Sequence, residues 1–427
     1  MTKSSKWPIM SYLFILLIIL FIRNDENLGV GCFNSEGHEA IGMVAMSGLK
    51  SDQLYELKKL LNGKDIVDIG KWGHLVHNKI KGAESMHFNL QNNDCKKAVF
   101  ECEDKNGLCL IHSIKHFYAT LSVNKMGRKS EQTSDQIPEK TQEQTEEQTP
   151  QQNSKRASPS PQSTEKDIPF IYPKNITFTD ADSLKYLISL IADMHQPLRI
   201  AYRHDSGGKD IKVIHHDDSK IVKSNLFEYM ENELLNKMIR RYQSAWYGGW
   251  THVNRIFDEH KKDETLFNEK GIDAIDIWAE QIINEFCSEF YLNNYIVNFM
   301  VEKKNELHFD TSKELEITYD LEFHLERLMK INILRAGSRI AIILNSIFAK
   351  RKFSSLRKKS EFDRVEYEQL ERNRGASVYK KNAIFINLTI IFVVLITILY
   401  FNFVLNRKNK MYLPSKTEEI ELQAKCN

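Results

Sequence analysis

The apolar run that ends at Pro197 constrains the fold of this chain more than any other segment. From Asp180 to Met194 apolar residues recur with helical spacing, and the proline then stops the helix. The run contains a lone acid, Asp193, in an otherwise apolar stretch. A buried carboxylate requires a partner, usually a metal ion or a base. The segment therefore predicts a buried helix whose last turn belongs to a functional site.

Helical periodicity dominates the rest of the chain, and one segment has no periodicity at all. Residues 129–166 are rich in Gln, Thr, Ser, Glu and Pro and cannot bury enough apolar surface to order themselves. A short β-hairpin is predicted from Gly207 to His215, where Ile211 and Val213 alternate with charged residues. The fold class is all-α with a short β-hairpin and a disordered insertion. Further helices are predicted at residues 39–49, 53–61, 226–242, 272–291 and 315–348.

The N-terminal 32 residues have the layout of a secretory signal peptide. Lysines precede an apolar core at Met10–Ile22, and small residues precede a cleavage site before Phe33. Charged residues between the core and this site count against cleavage, so an uncleaved signal anchor stands as the alternative. Both readings place the chain on the secretory route.

A second apolar segment, Ala383–Leu405, is long enough to cross a bilayer. It predicts a single-pass protein of the secretory pathway or cell surface, with a lumenal or extracellular body and a tail of residues 406–427. Residues 349–382 are highly charged and are interpreted as a juxtamembrane stalk. The net charge of +2 indicates no global attraction to nucleic acid or acidic partners.

Cysteine usage agrees with this location. Cys95, Cys102, Cys109 and Cys287 lie in the predicted body, and an even number suits two disulfides in an oxidising compartment. Four cysteines allow three pairings. The sequon at Asn175 predicts glycosylation in the same region.

Three histidines on separate segments, His38, His74 and His87, could form a zinc site with Asp193. Their spacing alone is weak evidence, because a lone histidine on an apolar face is more often a core residue. The run from His215 to Asp218 is interpreted as a solvated turn after the hairpin.

The order of these residues along the chain resembles that of a known protein family. Phe33 precedes His38 by five residues, followed by Trp72-Gly73-His74, then Met86-His87-Phe88, and later the helix of Asp193. Residues 33–348 thereby resemble the zinc-dependent single-strand-specific nucleases of fungi and plants, the S-one/P-one type. The resemblance implies the helical phospholipase C/nuclease fold and the disulfides Cys95–Cys287 and Cys102–Cys109.

The resemblance also implies roles for the site residues. The metal ligands would be Asp193, the histidines and the freed amine of Phe33, with His74 in place of an acid of the family. His77 stands where the family has an arginine that helps hold the phosphate, so His77 and Asp193 are the candidate catalytic residues.

The chain lacks the family's ligand at four metal-binding positions. Ser189 and Arg199 replace histidines on either side of Asp193, and an ungapped count places the last ligand pair on Lys223 and Phe227. Zero to two zinc ions are therefore expected instead of three. Arg199 and Lys223 could bind a phosphate without zinc, or they could be relics of a lost site.

Three functions follow from this pattern. The favoured one is a membrane-anchored family member with weak or lost hydrolysis of single-stranded DNA or RNA. The alternatives are an active phosphoesterase with one or two metals and a non-catalytic protein that binds nucleic acid or nucleotide or acts as a scaffold. The body is expected to be monomeric, and the sequence does not identify a protein partner.

Overall fold

A computed structural model of the chain describes residues 35–77, 79–80, 82–92, 95, 98–122, 169–217, 220–243, 245–246, 248–303, 306–353, 360–364 and 391–404. The predicted leader, Phe33, the insertion of residues 129–166 and the tail of residues 406–427 lie outside these residues. The chain divides into two compact units, Met1–Phe362 and Asp363–Asn427.

The first unit is mostly helical, which confirms the predicted fold class. The helix predicted from Asp180 to Met194 has those bounds, because a capping box of Thr179 and Asp182 starts it and Pro197 follows its end. The α-helices are α1 Ser35–Gly48, α2 Ser51–Leu60, α3 Ile66–Ile69, α4 Trp72–His77, α5 Leu110–Ser122, α6 Asp180–Met194, α7 Leu226–Glu228, α8 Leu234–Arg241, α9 Phe257–Lys270, α10 Ala274–Phe286 and α11 Tyr319–Lys350.

Several predicted helices differ from the observed ones at their boundaries, and two of the differences have a local cause. The segment predicted at 226–242 is α7 and α8 joined through a π-helical turn, Tyr229–Glu233. The last helix of the first unit starts at Tyr319, because the Thr318 side chain accepts the backbone N–H of Leu321 and caps it.

The β-structure lies a few residues later than predicted. Gly207 and Gly208, with φ of +65° and +80°, form a turn before the first strand. His215 was expected in a solvated turn; that expectation is wrong, since its side chain is buried in β1 against Tyr229, with ring centroids 4.9 Å apart. The strands are β1 Lys212–Asp217, antiparallel to β2 Lys220–Asn225 and parallel to β5 Glu314–Glu316, and an antiparallel pair, β3 Met300–Lys303 and β4 Glu306–Phe309.

Helix α11 passes through the core and packs closely against α1. At Gly337 a Cβ atom would lie 2.4 Å from the Val44 Cβ and 2.6 Å from the Ile41 carbonyl oxygen. Glycine at this position therefore sets the distance between the two helices, and α1 carries His38 in its first turns.

The disulfides Cys95–Cys287 and Cys102–Cys109 have the pairing that the resemblance implies. The Tyr202 hydroxyl lies 2.7 Å from Cys287 Sγ and accepts the backbone N–H of Cys95 at 2.6 Å. The ring of Tyr291 packs edge-on against Tyr202, and its hydroxyl donates to Asp205 at 2.5 Å. Burial raises the pKa of Asp205 to about 6.

The helical body continues beyond residue 348, where the stalk was predicted to begin. Phe353 and Phe362 are buried, and the Ser360 hydroxyl donates to the Asp182 carboxylate at the start of α6. These residues belong to the first unit, so the body extends at least to Phe362.

Among the described residues, α11 is the one helix long and apolar enough to cross a membrane. Its most apolar window is 83% buried inside the protein, as in the core helix of a folded domain. The second unit contains a shorter apolar helix, α12 Ile391–Val404, which lies within the predicted span of residues 383–405.

Replacing Gly337 by alanine should destabilise the body by about 1–3 kcal/mol, because the new methyl group overlaps Val44 and the α1 backbone. Urea unfolding followed by circular dichroism measures this. The control is Gly248→Ala, where a Cβ meets nothing within 4 Å and φ is not positive. Equal stability of the two variants would contradict the tight α1–α11 contact.

Asp205 should make stability depend on pH between 4 and 6. Its folded pKa lies above the ordinary value of 3.8, so the folded state retains a proton that the unfolded state loses. Its contribution therefore falls as pH rises through this window. The stability of Asp205→Asn relative to the unmodified protein should rise across it by up to about 3 kcal/mol. The control is Asp52→Asn, which alters an exposed carboxylate. A stability difference between Asp205→Asn and the unmodified protein that does not vary with pH would show that Asp205 stays ionised.

Candidate metal centre

Three imidazoles surround one carboxylate in the interior of the first unit. Asp193 Oδ1 lies 3.0 Å from His74 Nε2 and 3.8 Å from His38 Nε2, and Asp193 Oδ2 lies 2.6 Å from His87 Nδ1. The ligand atoms of His38, His74 and Asp193 lie within 4.8 Å of one another. All four side chains are buried. The structure thus brings together four of the five predicted metal ligands, and the fifth, Phe33, lies outside the described residues.

Four separate elements deliver these side chains. His38 lies in α1, His74 in α4, His87 at the end of a short 3-10 helix, Glu84–His87, and Asp193 in the last turn of α6. Helix α4 lies directly against α6 at Gly73, where a Cβ atom would be 2.6 Å from Ser189 Oγ. A glycine before His74 therefore allows its imidazole to reach Asp193.

The electrostatics of the cluster favour ligands that are ready to bind a cation. Burial lowers the pKa of His38 to about 4 and that of His74 well below its usual value, despite the opposing charge of Asp193. Burial alone would raise the pKa of Asp193, but His74, Arg199 and His87 hold it well below its usual range. Neutral imidazoles and an ionised carboxylate are the donor set that zinc takes in proteins.

Ser189 lies one helical turn before Asp193 and is fully buried. Its hydroxyl has no hydrogen-bond partner among the described residues. A hydroxyl is a much weaker zinc ligand than an imidazole. This side of the cluster therefore lacks the donor that the resemblance places here.

A cation of the chain itself occupies the other side of Asp193. Arg199 Nη2 lies 2.5 Å from Glu231 Oε1, and Arg199 Nε lies 3.7 Å from Asp193 Oδ1. Arg199 Nη1 donates to the His87 carbonyl oxygen at 3.2 Å. These side chains are at most 1% exposed. The guanidinium is thus enclosed by two carboxylates and a backbone carbonyl.

Aromatic rings complete the surroundings of this guanidinium. Its carbon lies 4.7 Å from the ring centroid of Phe88 and 5.3 Å from that of Phe227. The two rings are 5.8 Å apart. The cation is therefore shielded from water by π faces that attract positive charge.

Burial raises the pKa of Glu231 to about 8, against the attraction of Arg199. The 2.5 Å contact between Arg199 and Glu231 nevertheless has the geometry of a charge-assisted hydrogen bond. Arg199, which cannot be deprotonated in proteins, therefore favours the ionised form of this glutamate against the cost of its burial.

The structure separates Lys223 and Phe227, the two residues on which the ungapped count places the last ligand pair. Lys223 lies on β2, its side chain is 64% exposed, and its ammonium pairs with Glu314 at 2.9 Å. Phe227, by contrast, contacts Arg199, and Glu231 follows it by the four-residue spacing expected of the last ligand pair. Phe227 and Glu231 therefore both lie beside Arg199, whereas Lys223 lies at the surface.

Glu231 is thus the site residue that the sequence analysis missed. It is one of three acids in the six residues from Glu228 to Glu233, so the sequence gives no signal that distinguishes it from the other two. Arg199 and Lys223 were expected to hold a phosphate together. The structure instead pairs each of them with its own carboxylate, one in the interior and the other at the surface.

Two further predicted site residues lie at the end of α4 and before α6. His77 is the last residue of α4, and its side chain lies outside the described part of the chain. Asn175 is exposed on the segment before α6, so the glycosylation sequon is accessible.

Comparison with known proteins identifies most of the chain. A family model described as S1/P1 Nuclease matches residues 33–349. No curated protein matches the sequence.

Replacing Arg199 by methionine should destabilise the body by about 3–5 kcal/mol, because Asp193 and Glu231 would be left as buried, uncompensated charges. Adding Glu231→Leu should recover at least half of this loss. Urea unfolding of the single and double variants, with EDTA present, measures both effects.

The control is Arg240→Met, which breaks an exposed pair with Asp217 and should change stability by less than about 1 kcal/mol. A double variant no more stable than Arg199→Met would show that the loss comes from packing and not from charge.

Proposed function

The chain belongs to the S1/P1 nuclease family, and from its site we propose a divergent member that binds no more than two zinc ions and hydrolyses phosphodiesters weakly or not at all. The family is zinc-dependent. Membership in it indicates that binding of single-stranded nucleic acid was the ancestral activity of this chain. The single observation that carries the proposal is the guanidinium of Arg199 between the carboxylates of Asp193 and Glu231.

The residues that would hold zinc are those of the His–Asp cluster. His74, His87 and Asp193 offer two imidazoles and a carboxylate for one ion, with Ser189 in place of the missing imidazole. His38 and Asp193 could serve a second ion if cleavage frees the amine of Phe33. Zinc in such a site polarises a phosphoryl oxygen and lowers the pKa of bound water.

The charges around Arg199 explain why the third zinc position would be lost. Asp193 and Glu231 carry two negative charges, and the guanidinium neutralises one of them without leaving room for an ion between them. A divalent cation beside a permanent positive charge is repelled, and burial strengthens this repulsion. Arg199 therefore excludes a third zinc ion and weakens the hold of Asp193 on the others.

The ligand chemistry agrees with this account. Phe227 presents an aromatic ring, which has no lone pair for zinc, and its packing on Arg199 keeps water from the cation. Hydrolysis in the family relies on several metal ions acting together, so the loss of one position removes charge stabilisation for the leaving oxygen. The chain therefore retains the scaffold of a phosphodiesterase with part of its chemistry removed.

The location is proposed from the apolar segments. The family is typically secreted, and this chain has in addition the predicted span of residues 383–405. Helix α12 supports that span, with large apolar side chains exposed along its length, among them Phe392, Leu399 and Phe403. We place the helical body outside the cytosol, attached to a membrane by this segment.

The zinc content of the purified full-length chain tests the proposal. Mass spectrometry of the metal should find two equivalents or fewer, and cleavage of single-stranded DNA and RNA between pH 5 and 8 should be at least about 10³-fold below that of a three-zinc relative. Three equivalents of zinc with full activity would overturn it. N-terminal sequencing identifies whether Phe33 is the mature terminus.

Restoring the lost ligands is the sharper experiment. The variant Ser189→His/Arg199→His/Phe227→His should bind at least one more zinc ion per chain, because Glu231 is then released to the metal. The matched control, Ser189→His/Arg203→His/Phe323→His, alters two exposed residues outside the centre instead. A gain in zinc by both variants, or by neither, would show that Arg199 does not stand in a metal position.

A further inference from the structure

Two neighbouring segments of the helical body expose a group of large apolar side chains. The loop that follows Cys287 exposes Leu292, Tyr295 and Val297, and the first two turns of α11 expose Tyr319 and Phe323. Each of these five side chains is between 44% and 77% exposed, and none belongs to the metal centre. We call the five residues the apolar patch.

The two segments of the apolar patch lie side by side. The Tyr295 hydroxyl donates to Asp320 Oδ2 at 3.3 Å, and the ring centroids of Tyr295 and His324 are 6.3 Å apart. Tyr319 and Phe323 are one helical turn apart and therefore share a face of α11. The loop and the helix thus present one continuous surface.

The fold directs these side chains outward. In the loop, Ile296 is fully buried, whereas its neighbours Tyr295 and Val297 are exposed. In α11, Leu321 and Leu325 fill the side of the helix that faces the core. Other residues of both segments therefore already supply the apolar contacts that the fold needs, and the apolar patch is available to a partner.

The size of the apolar patch indicates a contact surface. Large apolar side chains bury about 150–250 Å² each when they are completely covered, so five that are about half exposed present on the order of 500 Å². The largest apolar patch on a typical monomer covers about 300–600 Å² and is often functional. Covering this area would be favourable, because it removes apolar surface from water.

The charges around the apolar patch are already matched. Arg327 pairs with Glu289 at 2.7 Å, and His324 Nδ1 lies 3.3 Å from the same carboxylate. The Asp320 carboxylate accepts the Tyr295 hydroxyl. These residues therefore offer no excess positive charge to a polyanion, and the surface fits a partner that is apolar and has no net charge.

The chain itself would keep such a partner close to the body. Helix α12 exposes large apolar side chains along its length, and it lies within the segment that we propose to cross a bilayer. About 30 residues separate Phe362, the last residue of the first unit, from Ile391, so even a fully extended connection would span at most about 100 Å. A lipid surface would therefore be present at a high effective concentration.

We propose that the apolar patch docks on the lipid surface of the membrane to which the chain is attached. Tyrosine suits this position, because its ring is apolar and its hydroxyl stays in contact with water at the level of the lipid headgroups. The inference rests on the proposed membrane attachment and adds a second contact to it. The body would then be held against the bilayer instead of moving freely at the end of its connection.

Hydroxyl-radical footprinting of the full-length chain in phosphatidylcholine nanodiscs tests this inference. The radicals oxidise side chains according to their exposure to water, and mass spectrometry measures each residue. Tyr55, which is 67% exposed on α2, is the reference, because Tyr319 at 77% would be oxidised at least as fast if it were not covered. Docking should lower the ratio of Tyr319 to Tyr55 oxidation at least about 5-fold, since insertion by 5–10 Å removes the ring from water.

A variant of the apolar patch and a matched control complete the experiment. Leu292→Ser/Phe323→Ser removes two apolar side chains and should return the oxidation of Tyr319 to the level expected from its exposure. The control, Ile171→Ser/Phe257→Ser, removes an aliphatic and an aromatic side chain that are each 48% exposed outside the patch, and it should keep Tyr319 protected. Circular dichroism verifies that both variants are folded.

Co-elution of the chain with the nanodiscs is measured first, so that the attachment and the docking are tested separately. A chain that does not enter nanodiscs would overturn the proposed attachment and this inference with it. An inserted chain whose Tyr319 is oxidised as fast as Tyr55, or an equal loss of protection in the control variant, would overturn the docking alone. Protection in detergent that rises with protein concentration would also overturn it, because a second copy of the chain would then cover the patch.

Discussion

The buried contact of Arg199 with Asp193 and Glu231 is the interaction on which the centre of this molecule depends. A guanidinium stays protonated at every physiological pH, so the chain supplies a permanent positive charge where carboxylates converge. Its burial between Phe88 and Phe227 strengthens the attraction, because little water screens it. The positive charge that balances the buried carboxylates is therefore part of the protein chain itself. A bound metal ion, in contrast, would be in equilibrium with the solution.

The surrounding elements fit this arrangement. Helix α6 presents Asp193 to both halves of the centre, with the histidines on one side and Arg199 on the other. The absence of a Cβ at Gly73 lets α4 approach Ser189, so a small hydroxyl and a glycine share the space where a larger ligand would stand. Under the proposed function the replaced ligand positions are therefore neighbours in space, as expected of a centre that has repacked.

The sequence predicts the helical body well, because its strongest signals are local. The bounds of α6 follow from a capping box and a proline, and neither depends on tertiary contacts. The disulfide pairing came from the resemblance, since geometry alone left three choices. The place of Glu231 beside Arg199 could not be predicted from the sequence, because only this contact shows which residues of the segment face the centre. A local sequence pattern also could not predict that Lys223 pairs with Glu314, which lies 91 residues away in another strand.

The longer disulfide has a consequence for the insertion. Cys95 and Cys287 are 192 residues apart in sequence, and the low-complexity segment of residues 129–166 lies between them. A protease that cuts this segment would therefore produce two fragments that remain covalently joined. His38, His74 and His87 would stay on one fragment and Asp193 on the other, yet the bond would keep them in one particle. The protein would migrate as a single species until it was reduced, and its centre would survive the loss of chain continuity.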